Sequence, residues 1–349
     1  MNKTNDTMMQ RALIVAPKQL KFEEIPIPIP APNQVLIKVH TCALCTFEQR
    51  LYSGEEAMYP YAGGHEVSGV VVEKGGHVFG VEPGDHVTLG GLYRCGECES
   101  CRRGYDNICE NAFKPRGGQN LGQPAGLAQY ILRLGADCFK VPKEIPLEHA
   151  ALTEPLACVL RSVKRAQLRP GERVVIIGAG IMGMLHLLLA KSYGAMVIVS
   201  EPDEQRRQKA LQLGADHAFN PLEQDYLKTV QALSAGHGAN ATFICVAHAS
   251  TIEPAVIASA NNGRVLCYSS FFPKGKKIEV DPNIFHKKEV TLTGTMSQTQ
   301  QDYAEAAEMI SKGLVDLKPL ISATYPLHEL EKAFSAAEGV DAYRVLVQP

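Results

Sequence analysis

The chain has 349 residues, 45% of them hydrophobic, and a formal charge of −2 at pH 7. That length exceeds what one hydrophobic core usually holds, about 250–300 residues, and calls for two domains. The near-neutral charge offers no basic surface for nucleic acid or anionic membrane, and no apolar run approaches the ~20 residues of a membrane span.

The polar start, MNKTNDTMMQ, lacks the apolar centre of a secretory signal and reads as a short frayed tail. Ten cysteines in so long a chain without a signal argue against a disulfide framework, and the expected compartment is the cytoplasm. From Arg11 to about Val141, short strands punctuated by Pro and Gly are predicted at 12–15, 35–39, 67–72, 85–88 and 128–132. The prolines at 26, 28 and 30 exclude a central strand there, because each lacks a ladder donor, and predict an extended surface connection. Residues 146–168 read as helical, with a break at Arg169-Pro170-Gly171.

A strand–helix alternation follows. The apolar, β-branched run 174–177 predicts a buried strand, 182–193 a helix closed by Gly194, and 196–200 a second strand. Helices are predicted at 203–213 and 226–234, and strands at 242–246, 264–268 and 290–293. This is a doubly wound α/β, or Rossmann, pattern. Helices at 300–311 and 327–337 and a final strand at 343–347 follow, and this last segment is expected to rejoin the first domain.

Between the first strand and helix lies Gly178-Ala179-Gly180-Ile181-Met182-Gly183, a G-x-G-x-x-G turn. In a dinucleotide site the first Gly permits the tight turn, the second lets backbone approach a pyrophosphate, and the third allows close helix–strand packing. The helix N-terminus, at Ile181 and Met182, attracts the phosphate charge. Glu201, at the end of the second strand, is placed to accept from a ribose 2′-hydroxyl, favouring NAD over NADP. Arg206 and Arg207 could offset its charge, but adjacent helical residues face different directions, so one of the two is expected to be spent on solvent.

Cys95, Cys98, Cys101 and Cys109 form C-x₂-C-x₂-C-x₇-C in a loop-like setting. Four thiolates satisfy a closed tetrahedral zinc site with no position open to substrate, so the role is structural. Ferredoxin runs begin alike, but the wide last gap and the absence of a following Pro favour zinc. A second constellation comprises Cys45, His65 and Glu66 of Gly64-His65-Glu66, and Glu154 of Glu154-Pro155-Leu156. Cys, His and carboxylate suit a catalytic zinc with one open position. Taken singly, a buried Cys is more often a small core residue and a lone His a satisfied core group.

The ordered set Cys45, Gly64-His65-Glu66, Pro83-Gly84-Asp85-His86-Val87, the four-cysteine lobe, Glu154-Pro155-Leu156 and the glycine turn resembles the zinc-containing medium-chain dehydrogenase/reductase family. Glu154-Pro155-Leu156 and Gly64-His65-Glu66 most resemble its sorbitol (polyol) and threonine dehydrogenase branch. The resemblance implies a GroES-like, mostly-β catalytic domain, residues 9–155 and 296–349 with a zinc lobe at about 93–111, and a Rossmann NAD-binding domain, residues 156–295. It implies a catalytic zinc on Cys45, His65 and Glu66, with Glu154 ligating directly or holding the zinc-bound water. Glu48 stands in for the usual Asp that accepts from a ligating His. Members commonly show Cys-Gly-Ser/Thr-Asp where this chain has Cys45-Thr46-Phe47-Glu48, so Phe47 displaces a relay hydroxyl and Arg50 a relay His. Thr46 is the nearest substitute hydroxyl. Arg206 is implied near the adenosine ribose and Arg344 near the cofactor phosphates, a surface ion pair being the other reading of Arg344. Val246 completes the implied cofactor set.

The implied reaction is zinc-assisted hydride transfer from a secondary alcohol of a polyol or sugar derivative to NAD, with a small-molecule substrate and a homodimer or homotetramer as the assembly. Threonine is the second substrate reading, with Arg50 as a candidate for its carboxylate. A reductase of aldehydes or activated alkenes is another enzyme reading, although zinc-independent relatives would not need this ligand set. A catalytically silent scaffold that binds NAD and zinc is the reading of a different class.

Overall fold

The computed structural model describes residues 7–92, 94–112 and 126–349. The chain divides into two compact units, one made of the residues up to Ala157 together with Gln298–Pro349, the other of Cys158–Ser297.

The first unit is built on a seven-stranded sheet. Its order is Ile321–Pro326, Arg344–Gln348, Gln34–Ala43, Glu66–Lys74, His86–Leu89 and Cys138–Lys140, with Tyr130–Leu134 also pairing with Gln34–Ala43. Alternating apolar residues explain the core: Val35, Ile37 and Val39 of one strand pack with Val67 and Val71 of the next, all buried. The C-terminal strand does rejoin this unit, lying between Ile321–Pro326 (parallel) and Gln34–Ala43 (antiparallel).

Several elements differ from the sequence reading. A strand begins at Met8, so Met8, Met9 and Gln10 are not frayed; residues 1–6 lie outside the described residues. That strand pairs antiparallel with Gln19–Pro26 as a separate two-stranded sheet, which runs into the proline series and ends at its first proline. The helical stretch is broken into Leu147–Ala150 and Thr153–Arg165. A helix, Thr46–Ser53, follows Cys45 directly, and the sequence reading also omits the strand Ile321–Pro326, in which half-buried Ile321, Ala323 and Tyr325 alternate with exposed Ser322, Thr324 and Pro326.

The second unit carries a six-stranded parallel sheet in the order His217–Phe219, Met196–Ser200, Arg173–Ile177, Ala239–Ile244, Ser259–Cys267, Thr291–Gly294. The order turns around the strand that feeds the glycine turn, which is the doubly wound Rossmann arrangement. Its central strands are apolar along their length because helices cover both faces. Val246 falls just past the end of its predicted strand, which stops at Ile244.

Candidate active site and metal centres

Sheet register assembles the first site. Ala43 pairs with Glu66 on one side and with Leu346 on the other, and Leu44 N–H donates to Val345 O at 2.9 Å. Cys45, Glu66 and Arg344 therefore stand at one end of three adjacent strands. Cys45, in extended conformation, begins the helix Thr46–Ser53. The donor atoms of His65, Glu66 and Glu154 lie within 4.8 Å of one another, and so do those of Cys45, Glu48 and His65. His65 belongs to both groups. Glu154 reaches the first from the opening turn of the helix Thr153–Arg165, whose start is fixed by the Thr153 hydroxyl donating to Ala150 O at 2.7 Å.

Glu48 is buried, and its Oε1 sits 2.8 Å from His65 Nδ1 and 3.1 Å from Gly64 N. Burial opposes its charge, but His65 and the Gly64 N–H outweigh that and hold its carboxyl below the usual range. An ionised carboxylate can only accept, so Nδ1 carries a proton. Burial opposes charge on His65, but Glu48 and Cys45 hold its pKa well above the usual range, so a metal would take Nε2 by displacing a proton. Gly64 has φ +95°, and a Cβ there would come 2.6 Å from Cys42 Sγ, so only glycine delivers this N–H.

Glu66 is fully buried and forked on Arg344: Nε donates to Oε2 at 2.8 Å and Nη2 to Oε1. Arg344 is 2% exposed, which corrects the surface-pair reading. Burial pushes Glu66 up to about 7, Arg344 opposes, and Glu154 adds to the rise. Burial likewise raises the Cys45 thiol, with His65 opposing. Thiol, imidazole and two carboxylates crowded and desolvated in this way form a donor set that a divalent cation would relieve, and soft and borderline donors together fit zinc. His65 is thus shared by two donor groups, Cys45–Glu48–His65 and His65–Glu66–Glu154, with Glu48 on its Nδ1.

Three other residues of the segment do not converge as simply. Thr46 is exposed. Phe47 is also exposed and packs edge-to-face with Tyr61, ring centroids 5.8 Å apart at 84°. Arg50 is turned to Glu55, Nε to Oε2 3.8 Å. Tyr61 and the Arg344–Glu66 pairing were not legible in the sequence as parts of this site. No local pattern links positions 278 residues apart.

In the four-cysteine lobe, Cys95, Cys98, Cys101 and Cys109 bring their Sγ atoms within 4.8 Å of one another, Cys95 and Cys101 at 3.9 Å. Backbone N–H groups of Glu97 and Cys98 donate to Cys95 Sγ at 3.4 and 3.3 Å, and the Asn111 amide at 3.4 Å. These bonds draw the Cys95 thiol down to about 6, the Asn111 amide contributing most. Burial meanwhile pushes the Cys101 thiol up to about 12, so the shell is set for one thiolate until a cation joins it, and four thiols this close with no open position fit a structural zinc. Arg94 braces the lobe, Nε lying 3.2 Å from Asp106 Oδ2 and Nη2 donating to Gln298 O at 3.0 Å. Tyr93, included in the predicted lobe, lies outside the described residues.

The glycine turn has the geometry its residues predict. Gly178 has φ +97°, and a Cβ there would meet Val246 Cγ1 at 2.4 Å. At Gly183 a Cβ would meet Gly178 O at 1.9 Å, whereas at Gly180 only Arg206 Nη1, at 4.0 Å, comes within reach. Gly180 thus faces open space with a guanidinium at its edge, and the helix Ile181–Ser192 starts there. Glu201 is buried: Oε2 accepts from Ala179 N at 2.7 Å and Oε1 from Asp203 N at 3.0 Å. It therefore shapes the turn as well as offering its remaining lone pairs. Arg207, which the sequence left open to solvent, donates instead to Glu201 O and Pro202 O and pairs with Glu204.

The sequence matches the alcohol dehydrogenase GroES-like domain over residues 31–143 and the zinc-binding dehydrogenase family over residues 180–312. A sorbitol dehydrogenase of Halalkalibacterium halodurans is 30% identical over 334 residues, covering 94% of this chain and 95% of the relative. An L-threonine 3-dehydrogenase of Pyrococcus abyssi is 33% identical over 319 residues, 89% of this chain and 90% of the relative. Among solved structures, a zinc-binding dehydrogenase of Sinorhizobium meliloti 1021 bound to NADP superposes with a TM-score of 0.90 at 27% identity, covering 99% of this chain and 100% of that one. With a GroES-like unit, a Rossmann unit and these matches, the chain belongs to the zinc-containing medium-chain dehydrogenase/reductase family. It is an oxidoreductase of the zinc alcohol dehydrogenase class. Among the described residues, no helix is long and apolar enough to cross a membrane.

Proposed function

We propose that the protein oxidises a secondary alcohol of a polyol, sugar or sugar derivative to a ketone, using one catalytic zinc and NAD. The reading is supported by the shared His65, which offers a ring nitrogen within 4.8 Å of Cys45 in one donor group and of Glu66 and Glu154 in the other. When bound, zinc polarises the substrate hydroxyl and NAD takes up hydride. The carbinol carbon would give up its hydrogen with the bonding electron pair, and a bound dinucleotide would supply the acceptor chemistry. The O–H proton leaves to solvent, and the products are ketone, NADH and H⁺.

The chain's own residues have separable parts in this reading. Glu48 holds the Nδ1 proton of His65, which would leave Nε2 as the nitrogen offered to the metal. Arg344 fixes the Glu66 carboxylate, while Glu154 supplies the second carboxylate. Thr46 offers the exposed hydroxyl nearest the departing proton in sequence, since Phe47 has none. Cys95, Cys98, Cys101 and Cys109 hold a structural zinc. Gly178, Gly180, Ile181, Met182, Gly183, Val246 and Arg206 receive the dinucleotide, and the Glu201 carboxylate favours a free ribose 2′-hydroxyl over a phosphate.

The test is NADH formation by the zinc-loaded protein across polyols, sugar acids, inositols, sugar phosphates and threonine, repeated with NADP. Turnover of a secondary alcohol with NAD preferred is expected. No turnover with any substrate would sink the dehydrogenase reading and leave the silent scaffold.

A further inference from the structure

Beside the proposed metal ligands lies a feature that the hydride chemistry does not use. Phe47 is the second residue of the helix Thr46–Ser53, two positions after Cys45, and 36% of it is exposed. A single exposed aromatic is ordinary by itself; what marks Phe47 is its place at the start of the helix that follows Cys45. This ring is also held rather than loose. Tyr61, 4% exposed, meets it edge-to-face, and an edge-to-face pair covers at most one face of Phe47.

Tyr61 is itself seated by a glycine. At Gly63 a Cβ would lie 3.3 Å from Tyr61 Cε1, Glu48 Cγ and Leu127 Cδ1 at once, tighter than most real contacts. Tyr61 is anchored through its backbone as well: Tyr61 N donates to Ile14 O at 2.9 Å, and Ile14 N to Tyr61 O at 3.0 Å. Gly63 thus makes room for Tyr61, and Tyr61 holds Phe47 edge-to-face, in segments that run directly into Gly64-His65 and out of Cys45. Phe47 is therefore an exposed, supported apolar ring two residues along the chain from Cys45.

We infer that Phe47, propped by Tyr61, is a specificity residue that seats the C–H face of a ring-shaped polyhydroxylated substrate, a cyclitol or pyranose. Such a ring is amphipathic: its C–H groups form a flat apolar face and its hydroxyls point outward, so one face can lie on Phe47 while a rim hydroxyl reaches the metal locus. A linear polyol has no such face and must also freeze its chain rotors to mimic one. The inference rests on the proposed dehydrogenase reading and narrows its substrate class.

The experiment compares kcat/KM for NADH formation by the full-length, zinc-loaded protein on inositols and pyranose sugars against linear hexitols, in the wild type, Phe47→Ser, Phe47→Leu and Tyr61→Leu. Zinc content and thermal unfolding of each variant serve as controls on folding. The wild type should prefer its best ring substrate over its best hexitol by roughly tenfold or more, the discrimination one apolar contact can supply. Phe47→Ser should collapse that ratio towards one, mainly through KM, with Phe47→Leu and Tyr61→Leu intermediate. A wild type that turns over hexitols as well as rings, or a ratio that survives Phe47→Ser, overturns the inference while leaving the dehydrogenase reading intact. Absence of NADH formation from the whole panel overturns both.

Discussion

Glu48 Oε1 lies 2.8 Å from His65 Nδ1 and 3.1 Å from Gly64 N, so one buried carboxylate orients the imidazole and pins the loop that carries it. Glu48→Gln keeps the size and an acceptor but loses the charge and the enforced tautomer. Zinc affinity or turnover should fall by about 10–100-fold, the usual cost of losing a ligand-orienting partner, with little change in fold. Chelator competition together with kcat measures this. Unchanged metal affinity and unchanged kcat would remove Glu48 from the site.

Arg344 and Glu66 form a fully desolvated forked pair. Arg344→Ala strands the Glu66 carboxylate in a buried setting and should destabilise the protein by about 3–5 kcal/mol. Arg344→Lys restores charge without the fork and should recover only part. Denaturant unfolding of the three proteins checks the order, and equal stability of wild type and Arg344→Ala would mean that the pair contributes specificity alone.

Cys98→Ser opens the four-thiolate shell of the lobe. One zinc per chain should be lost, and the unfolding temperature should drop. Metal analysis with calorimetry reads both. A variant that keeps its metal and its thermal midpoint would refute the structural site.

His186 supplies a pH dependence within the second unit. It is buried in the second unit between Phe243 and Tyr268, with Nδ1 2.7 Å from Met182 O, and burial pushes its pKa down to about 4. The unfolded chain protonates this side chain near 6.5 while the folded one stays neutral, so stability is fully present above about 6.5 and is lost as pH falls towards 4. The loss is at most about 3 kcal/mol. His186→Leu should flatten the slope of unfolding free energy over that window relative to wild type. Parallel slopes would show that His186 is not the group responsible.

The second unit was legible because its signals are local. The first strand, helix and second strand, the glycine turn and Glu201 all lie within thirty residues, and Gly178 and Gly183 each answer a contact that a Cβ would violate. The four-cysteine lobe was legible for the same reason, since its spacing alone closes a metal shell. The first unit was less so. Its strand Gln19–Pro26 runs into prolines that normally exclude strand, and its strand Ile321–Pro326 alternates only intermediate and exposed positions. The metal ligands came from ordered motifs, but what surrounds them depends on non-local register: Arg344 reaches Glu66 only because Leu346 pairs with Ala43 and Ala43 with Glu66. Nor does sequence show that Gly63 makes room for Tyr61, a consequence of packing.

The central claim is a catalytic zinc at Cys45, His65, Glu66 and Glu154, distinct from the structural one, and zinc stoichiometry with activity in wild type and Cys45→Ala tests it most directly. The account predicts about two zincs per chain in the wild type, one of them readily chelated, and one zinc with no NADH formation but an intact fold in Cys45→Ala. A single tightly held zinc in the wild type, or a Cys45→Ala protein that keeps two zincs or its activity, would contradict it.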